Sequence, residues 1–161
     1  MGERIYKGCE KVFEAKKFEN LKEMITNTKK EFGNEIAFKF KEDDSEKINT
    51  MSYNEYIDEI NSLGTALISI GLKDKRIGVI SENRYEWEEA YLSVICGTGI
   101  VVPLDKSLPE NEILSLIERS EMEAIFYSSK YDEVMEKAKE DKIGKIKFFI
   151  SMDLEEKTDE V

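Results

Sequence analysis

The second half of the chain alternates between short apolar runs and amphipathic segments, and this alternation constrains the fold more than any other feature. The apolar runs cover residues 76–81, 100–104, 124–127 and 146–150. Segments with helical periodicity separate them. Strands and helices that alternate in this way form a parallel sheet with right-handed crossovers, which helices cover on both faces. The sequence therefore predicts an α/β fold with three α/β/α layers and a mostly parallel sheet.

Two helices are predicted in the first half of the chain. Asn20 and Glu23 have the spacing of a helix N-cap and its third helical position, and Gly33 is typical of a helix end. Ser52 and Glu55 form a second capping-box pattern. The apolar face expected of this second helix comprises Tyr56, Ile60, Leu63, Leu67 and Ile70, with Gly71 as its end.

A β-hairpin is predicted between these two helices. Residues 35–41 alternate with period two, which indicates a half-buried strand. We expect Ile36, Phe38 and Phe40 on its buried face. Residues 42–45 are typical of a turn, and residues 47–51 form the returning strand. The hypothesis for the whole chain is an extended arm at 1–19, a single α/β domain at 20–154 and an acidic tail at 155–161.

Three helices are predicted within the alternating half. In the first, residues 85–96, the inner face would carry Trp87, Tyr91, Val94 and Ile95, with the two aromatic side chains in the core. Ser107 and Glu110 repeat the capping-box spacing around Pro109, which is tolerated early in a helix. Ser129 and Asp132 would cap the last helix.

The charge of the chain excludes some functions. Its 161 residues carry a net charge of −11, so it lacks the surplus of Lys and Arg that binds nucleic acid. It contains no histidine, which excludes His-dependent nucleophilic catalysis and His metal sites. No apolar run approaches the length of a membrane span. Cys9 and Cys96 lie far apart, as expected of free thiols in a cytoplasmic protein, and no metal site is predicted.

Ligands of parallel α/β sheets bind outside the carboxyl ends of the strands. The loop after the first strand of the sheet therefore holds the candidate substrate-side or cofactor-side residues Ser81, Asn83 and Arg84. A purely structural interpretation competes with this one. Asn83 could cap the helix that begins near Tyr85, and Arg84 could pair with Glu88 one turn later.

Two nucleotide or phosphate interpretations are disfavoured. Gly97-Thr98-Gly99 follows a helix and precedes a strand, whereas a phosphate loop needs the opposite order. We expect Gly97 to end its helix and Gly99 to mark a close packing point. A phosphoacceptor receiver domain shares the alternation, but the acids and lysine that it requires do not follow the strands in the required order.

A series of motifs resembles a known family. The motifs are Ser-Tyr-Asn-Glu-Tyr at 52–56, Leu-Gly-Thr-Ala-Leu at 63–67, Gly-Leu at 71–72, the stretch 76–87 and the stretch 97–105. In this order they resemble the N-terminal region of adenylate-forming enzymes. The stretch Glu-Asn-Arg-Tyr-Glu-Trp at 82–87 resembles the long-chain acyl-CoA synthetases in particular. The similarity extends from about Asn20 to Tyr127.

The resemblance implies an ATP-dependent long-chain fatty acid–CoA ligase. Such enzymes use ATP, magnesium and coenzyme A, and form an acyl-adenylate and then a thioester. Their phosphate loop and catalytic lysine have no counterpart in this sequence, so no catalytic residue is predicted and the chain alone is expected to be inactive and to bind no cofactor. It would be the N-terminal scaffold of a longer enzyme, whose remaining chain is its partner.

Two further expectations accompany this interpretation. Unpaired strand edges would favour a homodimer or looser self-association, and acyl substrates would place the longer enzyme near a membrane surface as a peripheral protein. The competing hypothesis is a non-catalytic α/β binding or interaction module that shares the fold.

Overall fold

The structure of the chain is a computed structural model, which describes residues 16–41 and 47–153. Its helices are α1 (Leu21–Phe32), α2 (Tyr53–Ser69), α3 (Tyr85–Ile95), α4 (Glu110–Ser120) and α5 (Asp132–Glu140). Its strands are β1 (Ile36–Lys41), β2 (Ile48–Ser52), β3 (Arg76–Ile80), β4 (Ile100–Pro103), β5 (Ala124–Tyr127) and β6 (Phe148–Ser151). The predicted arm up to residue 15, the predicted turn and the acidic tail lie outside the described residues.

Strands β3 to β6 form one parallel sheet, in the order β4-β3-β5-β6. Strands β1 and β2 form a separate antiparallel hairpin. The chain moves from β3 outward to β4 and then crosses back over β3 to reach β5. The predicted mostly parallel sheet and the predicted hairpin are both confirmed.

Helices cover the two faces of this sheet, as the apolar runs of the strands require. Ile77, Val79 and Phe126 pack on one face against α2 and α3, where Leu67 and Val94 complete the cluster. On the other face, Ile80 and Ile125 pack against α4 and α5, mainly against a second set of buried side chains: Ile113, Ile117, Val134, Met135 and Ala138. The three-layer α/β/α prediction is therefore confirmed.

The hairpin packs on α2 and α3 in a third apolar cluster. The ring of Phe38 meets the ring of Tyr56 edge to face, with centroids 4.7 Å apart. The prediction for Ile36 was wrong, because its side chain is 51% exposed. The pairing register shifts between Ile36 and Phe38. Such an irregularity breaks the period-two alternation, so Ala37 takes part in the cluster instead.

The N-terminal ends of the first two helices form as predicted. The Asn20 side chain accepts a hydrogen bond from the Glu23 N–H at 2.9 Å. In the capping box of α2, Ser52 Oγ accepts from the Glu55 N–H at 3.3 Å, and the Glu55 carboxylate accepts from the Ser52 N–H at 2.8 Å. Gly71 follows α2 with a φ of 87°, a conformation that glycine adopts without strain.

The predicted caps of the last two helices were wrong. Asp105 Oδ1 accepts hydrogen bonds from both the N–H and the hydroxyl of Ser107, so Ser107 closes a local turn and Pro109 occupies the N-cap of α4. Tyr131 is the N-cap of α5, after a single 3₁₀ turn at Ser129–Tyr131.

The inner face of α3 differs in part from its prediction. Ala90, Ser93 and Val94 are its buried residues, and Ile95 is 38% exposed. The Trp87 and Tyr91 rings stack with centroids 5.2 Å apart, and both side chains are half-buried at the edge of the core. Only a narrow stripe of side chains on an eleven-residue helix faces the sheet that it covers. Trp87, Tyr91 and Ile95 lie beside this stripe on α3, so the core covers them only in part.

Candidate functional site

The carboxyl ends of β3, β4, β5 and β6 lie at one edge of the sheet. From β3 the chain continues to β4 on one side of the sheet, and from β5 it continues to β6 on the other side. The point between β3 and β5 is therefore where doubly wound sheets open a ligand crevice. Here the crevice is bridged by protein groups. The Ser128 hydroxyl donates to Glu82 Oε2 at 2.5 Å, and the Ser128 N–H donates to the Ile80 carbonyl at 3.3 Å. The hydrogen bond from Ser128 lowers the pKa of Glu82.

A cavity of about 660 Å³ lies beside this bridge, between the loop that follows β3 and the hairpin. Its apolar wall consists of Phe38, Phe40, Tyr85, Trp87 and Leu104. Its polar wall contains Ser81, Glu82, Asn83, Arg84 and Lys106. The structure therefore brings the three predicted site residues together on one wall of one cavity.

Arg84 is held by two carboxylates. Its Nε and Nη2 donate to the two oxygens of Glu86 at 2.8 and 2.9 Å, and its Nη1 donates to Asp153. These partners raise the pKa of Arg84, Glu86 more than Asp153, although burial opposes the change. Burial favours the neutral form of Glu86, but the bonds from Arg84 hold its pKa below the ordinary value. The predicted pairing of Arg84 with Glu88 was wrong.

Asp153 connects Arg84 to the loop that follows β5. Its Oδ2 accepts from the Ser129 N–H at 2.7 Å. Asp153 follows β6, Ser129 follows β5, and Arg84 follows β3, so one carboxylate joins three strand ends. These contacts hold the pKa of Asp153 below its usual range, against the effect of burial.

Asn83 is exposed and bonds to the neighbouring loop. Its side-chain oxygen accepts from Lys106 Nζ at 2.9 Å. The predicted capping role of Asn83 was wrong, because Arg84 is the N-cap of α3 and makes no side-chain capping bond. The Lys106 carbonyl in turn accepts from the Tyr131 hydroxyl at 3.0 Å. This series of bonds links the loop after β3 to the loops after β4 and β5.

Ser81 is buried, and its hydroxyl donates to the carbonyl of Glu82 at 2.8 Å. The cavity also contains Lys106, from the loop after β4, and the hairpin aromatics Phe38 and Phe40, which were predicted as core residues and not as site residues. The position of Lys106 in a loop that follows a strand points to it as a site residue, because ligands of parallel sheets bind beside these loops. The sequence does not indicate that Phe38 and Phe40 line a site, because the local pattern of a hairpin does not determine which part of the sheet the hairpin covers.

The site combines an aromatic wall with polar groups that are mostly bonded to one another. Within residues 16–41 and 47–153, no cluster of three or more His, Cys, Asp or Glu side chains could hold a metal ion.

The predicted role of Gly97 at the end of a helix is confirmed by its φ of 136°, directly after the C-cap of α3. The close-packing role of Gly99 is confirmed too, since an added Cβ would lie 2.3 Å from the Lys75 carbonyl oxygen.

None of the helices in the described part of the chain is long and apolar enough to cross a membrane.

Three similar proteins indicate the relationships of this chain. YdaB of Bacillus subtilis (strain 168), a protein named for acyl-CoA ligase activity, is 25% identical over 88 residues, which are 54% of this chain and 18% of YdaB. The structure of a long-chain-fatty-acid-CoA ligase (FadD1) from Archaeoglobus fulgidus is 18% identical and superposes with a TM-score of 0.73. Coronafacic acid ligase from Pectobacterium brasiliense is 20% identical, with a TM-score of 0.72.

The match to these structures covers most of this chain but a small part of theirs. It covers 84% of this chain and 28% of FadD1, and 88% of this chain and 27% of coronafacic acid ligase. The chain thus spans less than a third of the length of each of these relatives. The sequence model that describes the AMP-binding enzyme family matches residues 25–161. The match extends over most of the sequence and agrees with the fold, so the chain belongs to the family of AMP-binding enzymes.

Proposed function

We propose that this chain is the N-terminal scaffold of an ATP-dependent ligase that joins a long-chain fatty acid to coenzyme A. The observation that carries the proposal is the match of residues 25–161 to the AMP-binding enzymes. The Glu-Asn-Arg-Tyr-Glu-Trp stretch at 82–87 supports the long-chain class, as does the name of the Archaeoglobus relative. The reaction would form an acyl-adenylate and then a thioester.

Within this function, the described residues would shape the site rather than perform the chemistry. ATP, magnesium and coenzyme A would be held mainly by residues that this chain does not supply, and the described residues offer no metal-binding cluster. Ser81, Asn83 and Arg84 would form a substrate-side or cofactor-side wall. Arg84 would keep this wall rigid, because its guanidinium already bonds to Glu86 and Asp153.

An activity assay tests this proposal. The 161-residue chain is incubated with ATP, magnesium, coenzyme A and a fatty acid, and pyrophosphate release is measured. We expect no release above background, because no phosphate loop is present in the sequence. In a longer polypeptide from the same reading frame, we expect release and a several-fold higher KM for Asn83→Ala than for Asn61→Ala, a control at an exposed position on α2. Pyrophosphate release by the short chain would contradict the scaffold role.

The second candidate function is a non-catalytic binding or interaction module. The observation that favours this candidate is the aromatic wall of the cavity, because an apolar wall can bind a ligand without taking part in a reaction. The coding sequence beyond Val161 distinguishes the two. Continuation into a Gly-rich phosphate loop that ends in Lys supports the ligase, and a stop codon supports the module. In either case we propose a cytoplasmic protein whose open strand edges favour self-association.

A further inference from the structure

The loop that follows β3 is anchored by carboxylates on both sides of Asn83. Before Asn83, the carboxylate of Glu82 accepts a hydrogen bond at 2.5 Å from the hydroxyl of Ser128, which lies directly after β5. After it, Arg84 donates to the carboxylate of Asp153, which follows β6. Asn83 is therefore held between two residues whose side chains bond to the ends of other strands.

The two carboxylate partners of Arg84 come from different parts of the chain. Glu86 lies in the first turn of α3, so its bonds to Arg84 remain local to the loop and the helix. Asp153 is 69 positions away from Arg84 in the sequence. Its second oxygen accepts from the Ser129 N–H at 2.7 Å. Asp153 is thus the partner that ties Arg84 to the loops after β5 and β6.

The Asp153 carboxylate is held in place independently of Arg84. Besides the bond from the Ser129 N–H, the Asp153 N–H donates to Ser151 Oγ at 3.2 Å, which fixes the backbone at the end of β6. The side chains of Arg84 and Asp153 are only 28% and 26% exposed. A charge-assisted bond in such a setting is stronger than a fully exposed ion pair. Asp153 therefore determines where Arg84 lies.

Arg84 contributes to both walls of the cavity beside β3. It belongs to the polar wall, next to Asn83. Its backbone carbonyl also accepts from the Trp87 N–H at 3.2 Å, and Trp87 is part of the aromatic wall. A displacement of Arg84 would therefore move Asn83 beside it and Trp87 one helical turn later. Asp153 itself does not line the cavity, yet its contact reaches both walls.

We propose that Asp153 is a positioning residue of the candidate site, which acts through Arg84 to set the placement of the polar and aromatic walls. A wall that is fixed before binding lowers the cost of ordering the site around a ligand. The consequence for substrate binding rests on the proposed function. The placement of the walls does not, because it depends only on contacts within this chain.

Trp87 provides the measurement, because it is the only tryptophan in the sequence and its side chain lines the cavity. Asp153→Asn keeps the size of the side chain but leaves one oxygen for the two donors of Arg84 and Ser129. We expect Trp87 emission to shift to longer wavelength and acrylamide to quench it more strongly, because the start of α3 loses its anchor. Asp153→Glu restores the carboxylate and should return both signals toward those of the parent chain.

A double-mutant cycle tests whether Asp153 acts through Arg84. Arg84→Gln should shift Trp87 emission by a similar amount, and the double variant Arg84→Gln/Asp153→Asn should add little to this shift. Additive shifts would overturn the proposal, because they would mean that Asp153 acts through another contact, such as its bond with Ser129. If Asp153→Asn does not fold, Arg84→Gln removes the same bond from the other side, and an unchanged Trp87 spectrum in that variant would overturn the proposal.

The matched control is Glu136→Gln, which removes one negative charge at an exposed position on α5 and should leave Trp87 emission unchanged. Circular dichroism verifies that each variant is folded. An unchanged Trp87 spectrum in folded Asp153→Asn, or an equal shift in the control, would contradict the positioning role.

The longer polypeptide from the same reading frame connects this role to substrate binding. In it, Asp153→Asn should raise KM by about threefold or more with little change in kcat. A loss of kcat at unchanged KM would count against a positioning role. If the unsubstituted longer polypeptide releases no pyrophosphate, the ligase function fails, and the Trp87 measurements still decide the role of Asp153.

Discussion

Glu89 on α3 is a residue whose local environment opposes its charge. It is half-buried near Glu59 of α2 and Glu86 of its own helix. Burial, followed by the charges of these two glutamates, raises the pKa of Glu89 to about 7. Burial, followed by the charges of Glu55 and Glu86, likewise raises the pKa of Glu59. The interface between α2 and α3 therefore carries excess negative charge at neutral pH.

The substitution Glu89→Gln should stabilise the fold at alkaline pH but not at acidic pH. Because folding raises this pKa above its ordinary value of 4.5, stability is lost as pH rises from 4.5 toward 7. We expect a gain of about 1 kcal/mol near pH 8, reduced from the full linkage value because solvent screens a half-exposed group, and almost none near pH 5. Urea unfolding measures both values.

Glu136→Gln provides the control for this change, because it removes one negative charge from an exposed position on α5. We expect its free energy of unfolding to stay within about 0.5 kcal/mol of the parent at both pH values. An equal gain in the free energy of unfolding from both substitutions would mean that the change in net charge stabilises the chain, and not the removal of a charge from the half-buried environment of Glu89.

The helix caps show, at the scale of elements, where local sequence is sufficient. The Ser52–Glu55 box forms because, within the described part of the chain, the side chains of Ser52 and Glu55 bond only to each other's groups. The same spacing at Ser107 and Glu110 fails because Asp105, two residues away, takes the Ser107 N–H and hydroxyl. A capping pattern is thus reliable only where the neighbouring residues offer no alternative partner.

Ser52→Ala should destabilise the chain by about 1 kcal/mol, because the Glu55 N–H loses its side-chain acceptor at the start of α2. Thermal unfolding followed by circular dichroism measures this change. Ser69→Ala, at the exposed end of the same helix, should cost only a few tenths of a kcal/mol. Equal losses would mean that the capping box does not stabilise α2.

At the scale of the whole molecule, both edges of the parallel sheet are open within the described residues. β4 pairs only with β3, and β6 pairs only with β5. Pro103 limits further pairing at the β4 edge. The hairpin adds an exposed apolar residue, Ile48, at 59% exposure. Such edges and side chains favour contacts with another chain.

Light scattering at high concentration should therefore detect dimers or larger species of this chain. Ile48→Lys should shift the population toward the monomer, because a charge on a strand opposes edge contacts. Ser62→Lys, at an exposed position on α2, adds the same charge away from the hairpin and should leave the distribution unchanged. A strict monomer for the parent chain would contradict this prediction.

The amino-acid sequence by itself determined the element order, the three layers, the first two helix caps and the roles of Gly97 and Gly99. Each of these depends on periodicity or on residues close together in the chain. Only the tertiary structure decided that Arg84 bonds to Asp153, that Asn83 bonds to Lys106 and that the hairpin aromatics close the cavity. These contacts join residues far apart in sequence, and they depend on strand order and on how the hairpin packs, which local patterns do not encode.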